Sequence, residues 1–429
     1  MKAPTPRVGA FCVDGAAMMA PVSTPAARSW SSWRTIVVLG LVSLCADMAY
    51  EGMRAVSGPF LGSLGASALV VGVVTGAGEA VALVLRLVSG RWADRSRRHW
   101  RLTVVGYALT AVCVPLLAVT PFLGSAGLAV AASLILLERT GKAIRSPAKS
   151  AILARVARPT GRGRGFGVHK ALDQVGAFSG PLLLAGAAAV TGLQWPGLAL
   201  LAIPGGVSLA LLWLLARRVP SLTRPDDDDD VDVADDAPIG ASVGRGLPRA
   251  FHLFALGSAC ATAGLTTFGV ISYRFVEIGL VPLAAVPLVY ALAMATGALA
   301  SLVAGDLFDR FGGGVLLGVP LLVALVPAAV FLSESLVVVL TGVAVWGVAI
   351  GVQDSTVKAY VADLVPSTRR ATAYGVFAAI QGVGALVGGA AAGGLVADHA
   401  GLLVIAVLAV QVVALLLTAG AIRDSRVRA

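Results

Sequence analysis

Charge is scarce in this chain, and histidine, cysteine and aromatic residues are few. Asp, Glu, Lys and Arg supply only 13% of its 429 residues, against 57% hydrophobic ones. The four histidines (His99, His169, His252, His399) and four cysteines (Cys12, Cys45, Cys113, Cys260) are scattered, without metal-ligand or disulfide spacing. There is no phosphate-cradling loop ending in Gly-Lys-Ser/Thr, which argues against an ATP-driven pump. Nothing alternates in polarity over about ten residues, as the strands of a membrane β-barrel would. No nucleic-acid-binding segment, metal or cofactor is expected, and enzyme activity has no candidate residues.

Apolar sequence is what remains. The mean hydropathy is +0.87, more than one soluble core could hide in a chain of this length. Lipid is therefore the expected solvent for most of the surface. The sequence predicts twelve transmembrane helices of about twenty residues or more, roughly enough to cross about 30 Å of hydrocarbon. They cover 34–57, 67–90, 102–121, 125–147, 166–190 and 196–217, then 250–272, 282–305, 314–333, 336–361, 371–396 and 400–421. The fold class is all-α, with close helix packing through the 51 glycines.

The formal charge of +10 is unevenly placed. Basic residues fall in alternate loops, at Arg91 to Arg101, Arg155 to Arg164, Arg217 to Arg224, Arg369-Arg370 and Arg423 to Arg428. Loops near 58–66, 120–126 and 191–197 carry none. The positive-inside rule then puts both termini in the cytoplasm of a cell with the chain in its inner (plasma) membrane. Residues 1–33 read as a cytoplasmic tail, with the first span acting as targeting signal. Residues 219–249, with Asp226 to Asp230, read as an acidic cytoplasmic linker between six-helix bundles at 34–218 and 250–422, and 423–429 as a second tail.

The halves repeat. Gly90-Arg-Trp-Ala-Asp94-Arg95 returns as Gly305-Asp-Leu-Phe-Asp309-Arg310, 215 positions later. Gly167, Ala171, Gly176, Ala177 and Gly180 return as Gly375, Ala379, Gly384, Ala385 and Gly388, 208 positions later. Two matches in one order indicate duplication, an arrangement found in secondary transporters. The Gly-x-x-x-Asp-Arg phrase after the second and eighth spans resembles the loop signature of the major facilitator superfamily, and the resemblance covers the chain from residue 34 onward. It implies two six-helix bundles rocking about a central cavity, with Gly90, Asp94, Arg95, Gly305, Asp309 and Arg310 governing the conformational balance. Asp47 and Glu51 with Gly141-Lys142-Ala-Ile-Arg145-Ser-Pro look similar to a poorly characterised prokaryotic branch.

Charges inside apolar spans are costly, at roughly 2.5–3.5 kcal/mol each on insertion scales, and must pair or face water. At 100° per residue, Asp47, Glu51 and Arg54 share one face of the first span, within about 60°. Glu138, Lys142, Arg145 and Lys149 make a stripe on the fourth. Glu79 is the first candidate for proton coupling because its own flanks hold no adjacent cation; Asp47 and Glu51 are the others. By the resemblance, Arg139 matches the arginine of a fourth-helix proton-transfer motif, with Lys142 and Ala143 replacing its Gln and Gly. Lys142, Arg145, Arg54, Asp173, Gln353, Asp354 and Gln381 are candidate substrate contacts. Internal pairing is the competing reading: Glu138 with Lys142 at i, i+4, and Asp173 with His169 or Lys170. Gly176, Gly180 and Pro181 read as helix packing with a kink, and they also resemble a fifth-helix motif of drug–proton antiporters.

These features imply a monomeric, proton-coupled secondary transporter of a small organic molecule in the bilayer, leaning to efflux by antiport. Import of an organic anion, bound by Lys142 and Arg145, is the alternative. A membrane sensor or assembly protein that no longer transports is a third reading, of a different class.

Overall fold

A computed structural model describes residues 30–223, 247–366 and 369–428. The acidic run Asp226 to Asp236, the tail 1–29 with Cys12, and the side chain of Asp94 lie outside the described residues. Among the described residues there are fourteen α-helices and no strand. In chain order they are α1 Ser32–Ser63, α2 Ala68–Ser96, α3 His99–Leu116, α4 Gly127–Val156, α5 Arg162–Thr191, α6 Trp195–Leu200 and α7 Ala202–Arg218. The second half adds α8 Arg249–Gly264, α9 Phe268–Glu277, α10 Val286–Phe311, α11 Gly318–Phe331, α12 Leu336–Leu364, α13 Arg370–Leu395 and α14 Ala400–Arg428.

Local chemistry sets several ends. Ser31 and Ser67 cap α1 and α2, their hydroxyls accepting from the backbone N–H of Arg34 and Val70 at 3.4 Å. Gly192 ends α5 and Gly312 ends α10, both at positive φ, where an L side chain would be strained. Among the described residues, ten stretches are long and apolar enough to cross a membrane. One of them, Val286–Phe331, comprises α10 and α11, which a 3-10 segment at Gly312–Leu317 separates. Helix α4 is as long but less apolar, with Glu138, Arg139 and Lys142 within five residues.

Two of the expected spans are broken. The sixth divides at Leu201 into α6 and α7, and the seventh divides at Leu265–Thr267 into α8 and α9. At the second break Thr266 adopts φ +46, unusual for a residue with a branched β-carbon. The Trp346 indole of α12 donates to the carbonyls of Leu265 and Thr266 at 2.7 and 2.9 Å. Those carbonyls have left the helical ladder, so a buried donor is needed to satisfy them.

The face where α1 begins and α2 ends is here the terminal face; the opposite one is the far face. The halves meet chiefly through α2 against α13, α1 against α9, and α5 against α10. Small residues allow the approach. A β-carbon at Gly72 would fall on the Gly389 carbonyl, one at Gly393 on the Ala68 carbonyl, and one at Gly58 on the Gly269 carbonyl. These contacts lie in the far-face portions of their helices. Within the first half, Gly176 and Gly180 of α5 lie against the backbone of Leu44 and Met48 in α1, and Pro181 lies inside α5. Outward side chains are apolar and bare, as at Leu302 (75% exposed) and Leu416 (67%), the reverse of a water-soluble surface.

Candidate functional site

Charged residues that the sequence spreads over four helices converge inside the first half. Arg54 Nη2 donates to Glu79 Oε1 at 2.7 Å, and Arg54 Nη1 lies 3.8 Å from Glu51 Oε2. Arg139 reaches the same Glu79 oxygen at 3.7 Å and Glu138 at 3.8 Å. Glu138 continues the chain to Arg145 at 3.8 Å, and Arg145 to Asp47 at 3.9 Å. A second group holds Asp173 between Lys149 at 3.8 Å and His169 at 3.6 Å.

Hydroxyls and rings tie these groups together. Tyr50 accepts a hydrogen bond from Arg139 while its ring lies beneath Arg139 and, at 3.4 Å from the centroid, beneath Lys142. Thr110 bridges Glu138 and Arg145 at 3.0 and 2.5 Å. Ser43 joins Tyr107, His169 and Lys149 at 2.7, 3.0 and 3.1 Å, and Tyr107 lies under Arg145. Glu138, Arg139, Arg145 and His169 are buried. An ion buried at such depth is tolerable only with partners, and alternating charge along the chain supplies them.

One hydrogen bond links this network to the second half. The hydroxyl of Tyr290 on α10 donates to Glu51 Oε2 at 2.5 Å. Tyr290 is fully buried and packs on Phe268, the first residue after the break, which in turn packs on Trp346. Nearby, Thr75 of α2 and Thr267 share a hydrogen bond of 2.7 Å between the halves.

The structure brings several of the expected residues together and leaves others apart. Asp47, Glu51, Arg54, Glu79, Arg139, Arg145 and Asp173 all join the network. Glu138 does not pair with Lys142: its oxygens face Arg139, Arg145 and Thr110, and Lys142 covers the Tyr50 ring. Asp173 pairs with His169 and Lys149, not with Lys170. Glu79 has no cation beside it in sequence, yet α1 and α4 each bring it a guanidinium. In the second half, Gln353 and Gln381 both donate to Thr262 Oγ1, at 2.9 and 3.1 Å, while Asp354 is exposed and apart from them. Asp309 and Arg310 are exposed on the last turn of α10.

Sequence reasoning passed over Ser43, Tyr50, Tyr107, Thr110, Thr262 and Tyr290. Their signal was available: a tyrosine hydroxyl in mid-span needs a partner when buried. A cavity of about 500 Å³ also opens at the far face, among Phe60, Gln194, Trp195 and Tyr273, away from the network.

The family model described as Major Facilitator Superfamily matches residues 39–389 and 254–428. An uncharacterized protein of Mycobacterium tuberculosis (strain H37Rv) is 49% identical over 388 residues, covering 90% of this chain and 92% of that one. An uncharacterized MFS-type transporter of Methanocaldococcus jannaschii is 28% identical over 372 residues, covering 82% and 86%. Among solved structures, the nucleoside transporter NupG superposes with a TM-score of 0.71 at 13% identity, covering 90% of this chain and 99% of that one. A POT family transporter in complex with 5-aminolevulinic acid gives 0.71 at 14% identity, covering 92% and 96%. At such identities the structural likeness concerns the fold alone.

Proposed function

We propose, for a chain that belongs to the major facilitator superfamily, proton-driven transport of a small organic molecule by alternating access. It is a multi-pass membrane transporter and not an enzyme. In this reading the chain crosses the membrane twelve times, with α6–α7 and α8–α9 as broken crossings and α10 and α11 as separate ones. Helix α4 crosses despite its charges because they face the network and not lipid. An even number of crossings puts both termini on one side, and the basic loops make that side the cytoplasm of the inner (plasma) membrane. The transporter works as a monomer, its two six-helix halves joined by the acidic linker.

The observation that carries the coupling is Glu79 held between Arg54 and Arg139, in a network joined to the second half by Tyr290 and Glu51. A carboxylate clamped by two guanidiniums is ionised. When the far-face contacts part and the clamp loosens, the same buried carboxylate is more stable protonated. One proton thus exchanges with one ion-pair arrangement, and each arrangement suits one orientation of the halves. Asp47 and Glu51 take part as neighbouring acceptors, and Arg139 as the competing cation. By resemblance, Asp94 and Asp309 with their arginines, beside Gly90 and Gly305, latch the cytoplasmic side. Gln353 and Gln381 offer uncharged contacts to the substrate from the second half.

Export in exchange for protons is the direction we adopt, on the likeness of Gly176-Ala-Phe-Ser-Gly180-Pro181 to the antiporter motif. Packing against α1 accounts for the same glycines. The test is a paired metabolite profile of cells and medium in strains overexpressing the chain, deleted for it, or carrying Glu79→Gln. A compound enriched in the medium only with the intact chain supports export, and the opposite distribution makes the chain an importer. Glu79→Gln transport matching the intact chain at every pH removes Glu79 as the coupling group. Identical profiles in all three strains favour the non-transporting sensor.

A further inference from the structure

The network spends most of its cations, and those left unspent point to the substrate. Arg54, Arg139, Arg145 and Lys149 each lie within 4 Å of a carboxylate. Arg86, Lys142, Lys170 and Lys358 do not, among the described residues. Arg86 is half-buried, and its Nε is buried without a hydrogen-bond partner. Lys142 lies over the Tyr50 ring.

These four come from α2, α4, α5 and α12, so both halves contribute. Lys358 of the second half lies within electrostatic reach of Arg86 and Lys170 of the first, and of Asp354 one turn back on its own helix. Arg86 and Lys142 in turn lie within reach of Glu79. Along their helices, at 1.5 Å per residue, Lys358, Lys170, Arg86 and Lys142 stand roughly 9, 12, 15 and 21 Å in from the terminal-face ends. They form steps leading from that face toward Glu79.

The paired network holds five carboxylates (Asp47, Glu51, Glu79, Glu138, Asp173) and four cations, so Lys142 brings it to neutrality. Arg86, Lys170 and Lys358 add further positive charge on the walls between the halves, with Asp354 in reach of Lys358 and with Lys170 and Lys358 both exposed. Positive charge that no carboxylate pairs, part of it open to water, favours a mobile anion between the halves.

We infer that the transported molecule is an organic anion, received by Arg86, Lys142, Lys170 and Lys358 and not by Arg145. Arg145 is committed to Asp47, Glu138 and Thr110. The guanidinium of Arg86 can hold a carboxylate or phosphate with two N–H donors, and the lysines supply point charges. This rests on the transport reading above and adds the sign of the substrate.

The test measures binding directly, so that it does not depend on observing transport. Purified full-length protein is heated with succinate, glycerol phosphate, choline or glucose at matched ionic strength. Saturable stabilisation by an anion is expected, with apparent affinity about tenfold or more weaker in Arg86→Gln and in Lys358→Gln. Arg86→Lys and Lys358→Arg should retain most of it, which separates lost charge from lost folding. The inference is overturned if the anions act equally on intact and neutralised proteins, if none acts, or if only choline or glucose acts. The transport reading fails separately, on identical metabolite profiles.

Discussion

Replacing Tyr290 by Phe removes one hydroxyl and leaves the ring. The contact with Phe268, 4.7 Å between centroids, survives, so no cavity opens. What is lost is the 2.5 Å hydrogen bond from the second half to Glu51 Oε2. A hydrogen bond to a charged group contributes about 1.5–3 kcal/mol. Glu51 keeps Arg54, at 3.8 Å. The bond exists where the far face is closed, so its loss should raise the far-open population by about 10- to 150-fold. Ser272 offers a reporter: it is fully buried on α9, with its Oγ facing Gly58 of α1. In a chain with its native cysteines replaced, Ser272→Cys reacts with an impermeant maleimide at the far face only when α9 leaves α1. The alkylation rate then follows the open population. Tyr290→Phe should raise it at least tenfold and Glu51→Gln, whose amide oxygen still accepts from Tyr290 without the charge, by less; the double variant should not exceed Tyr290→Phe by much, because both act on the same bond. An unchanged rate in Tyr290→Phe, or effects that multiply in the double variant, would refute the assignment of this bond as the link between halves.

Two further predictions concern stability. Glu138→Ala leaves the buried Arg139 and Arg145 short of an anion and should cost about 3–5 kcal/mol, read as a lowered thermal midpoint in detergent. Thr110→Val, which removes one neutral bridge, should cost less than half as much. Gly389→Val should force α2 from α13, since even a β-carbon there meets the Gly72 carbonyl, at a cost of about 1–3 kcal/mol. Gly186→Ala, with nothing within 4 Å of the added carbon, should leave the same midpoint within about 0.5 kcal/mol of the parent.

Much of this architecture was legible in the residues. Each expected span overlaps a helix or a broken pair of helices, because an apolar run long enough for the bilayer is a local property. The break at Leu201 had a signal in Pro204-Gly205-Gly206, just after it, whereas the second break had none in its own residues. Leu265-Thr266-Thr267 contains neither Gly nor Pro, and the indole that satisfies its carbonyls lies about eighty residues away. The α4 stripe was visible in its periodicity, but its partners were not. Helical spacing favoured Glu138 with Lys142, whereas Arg145 and Thr110 occupy Glu138 and the Tyr50 ring takes Lys142. A ring face competes well for a lysine where water is scarce.

Glu79 shows the division most clearly. Its sequence neighbours, Gly78 and Ala80, mark it as a carboxylate in a small-residue stretch and say nothing of its counter-charges. By itself the sequence determined membrane residence, helical class, duplication and the inventory of buried charge, since these depend on composition and on short periods along one helix. Which acid meets which base, which cations stay unpaired and how Tyr290 joins the halves were decided by the tertiary structure alone. Ion pairs and hydrogen bonds act within about 4 Å, and only the rotation and depth of neighbouring helices bring groups up to 239 residues apart within that range.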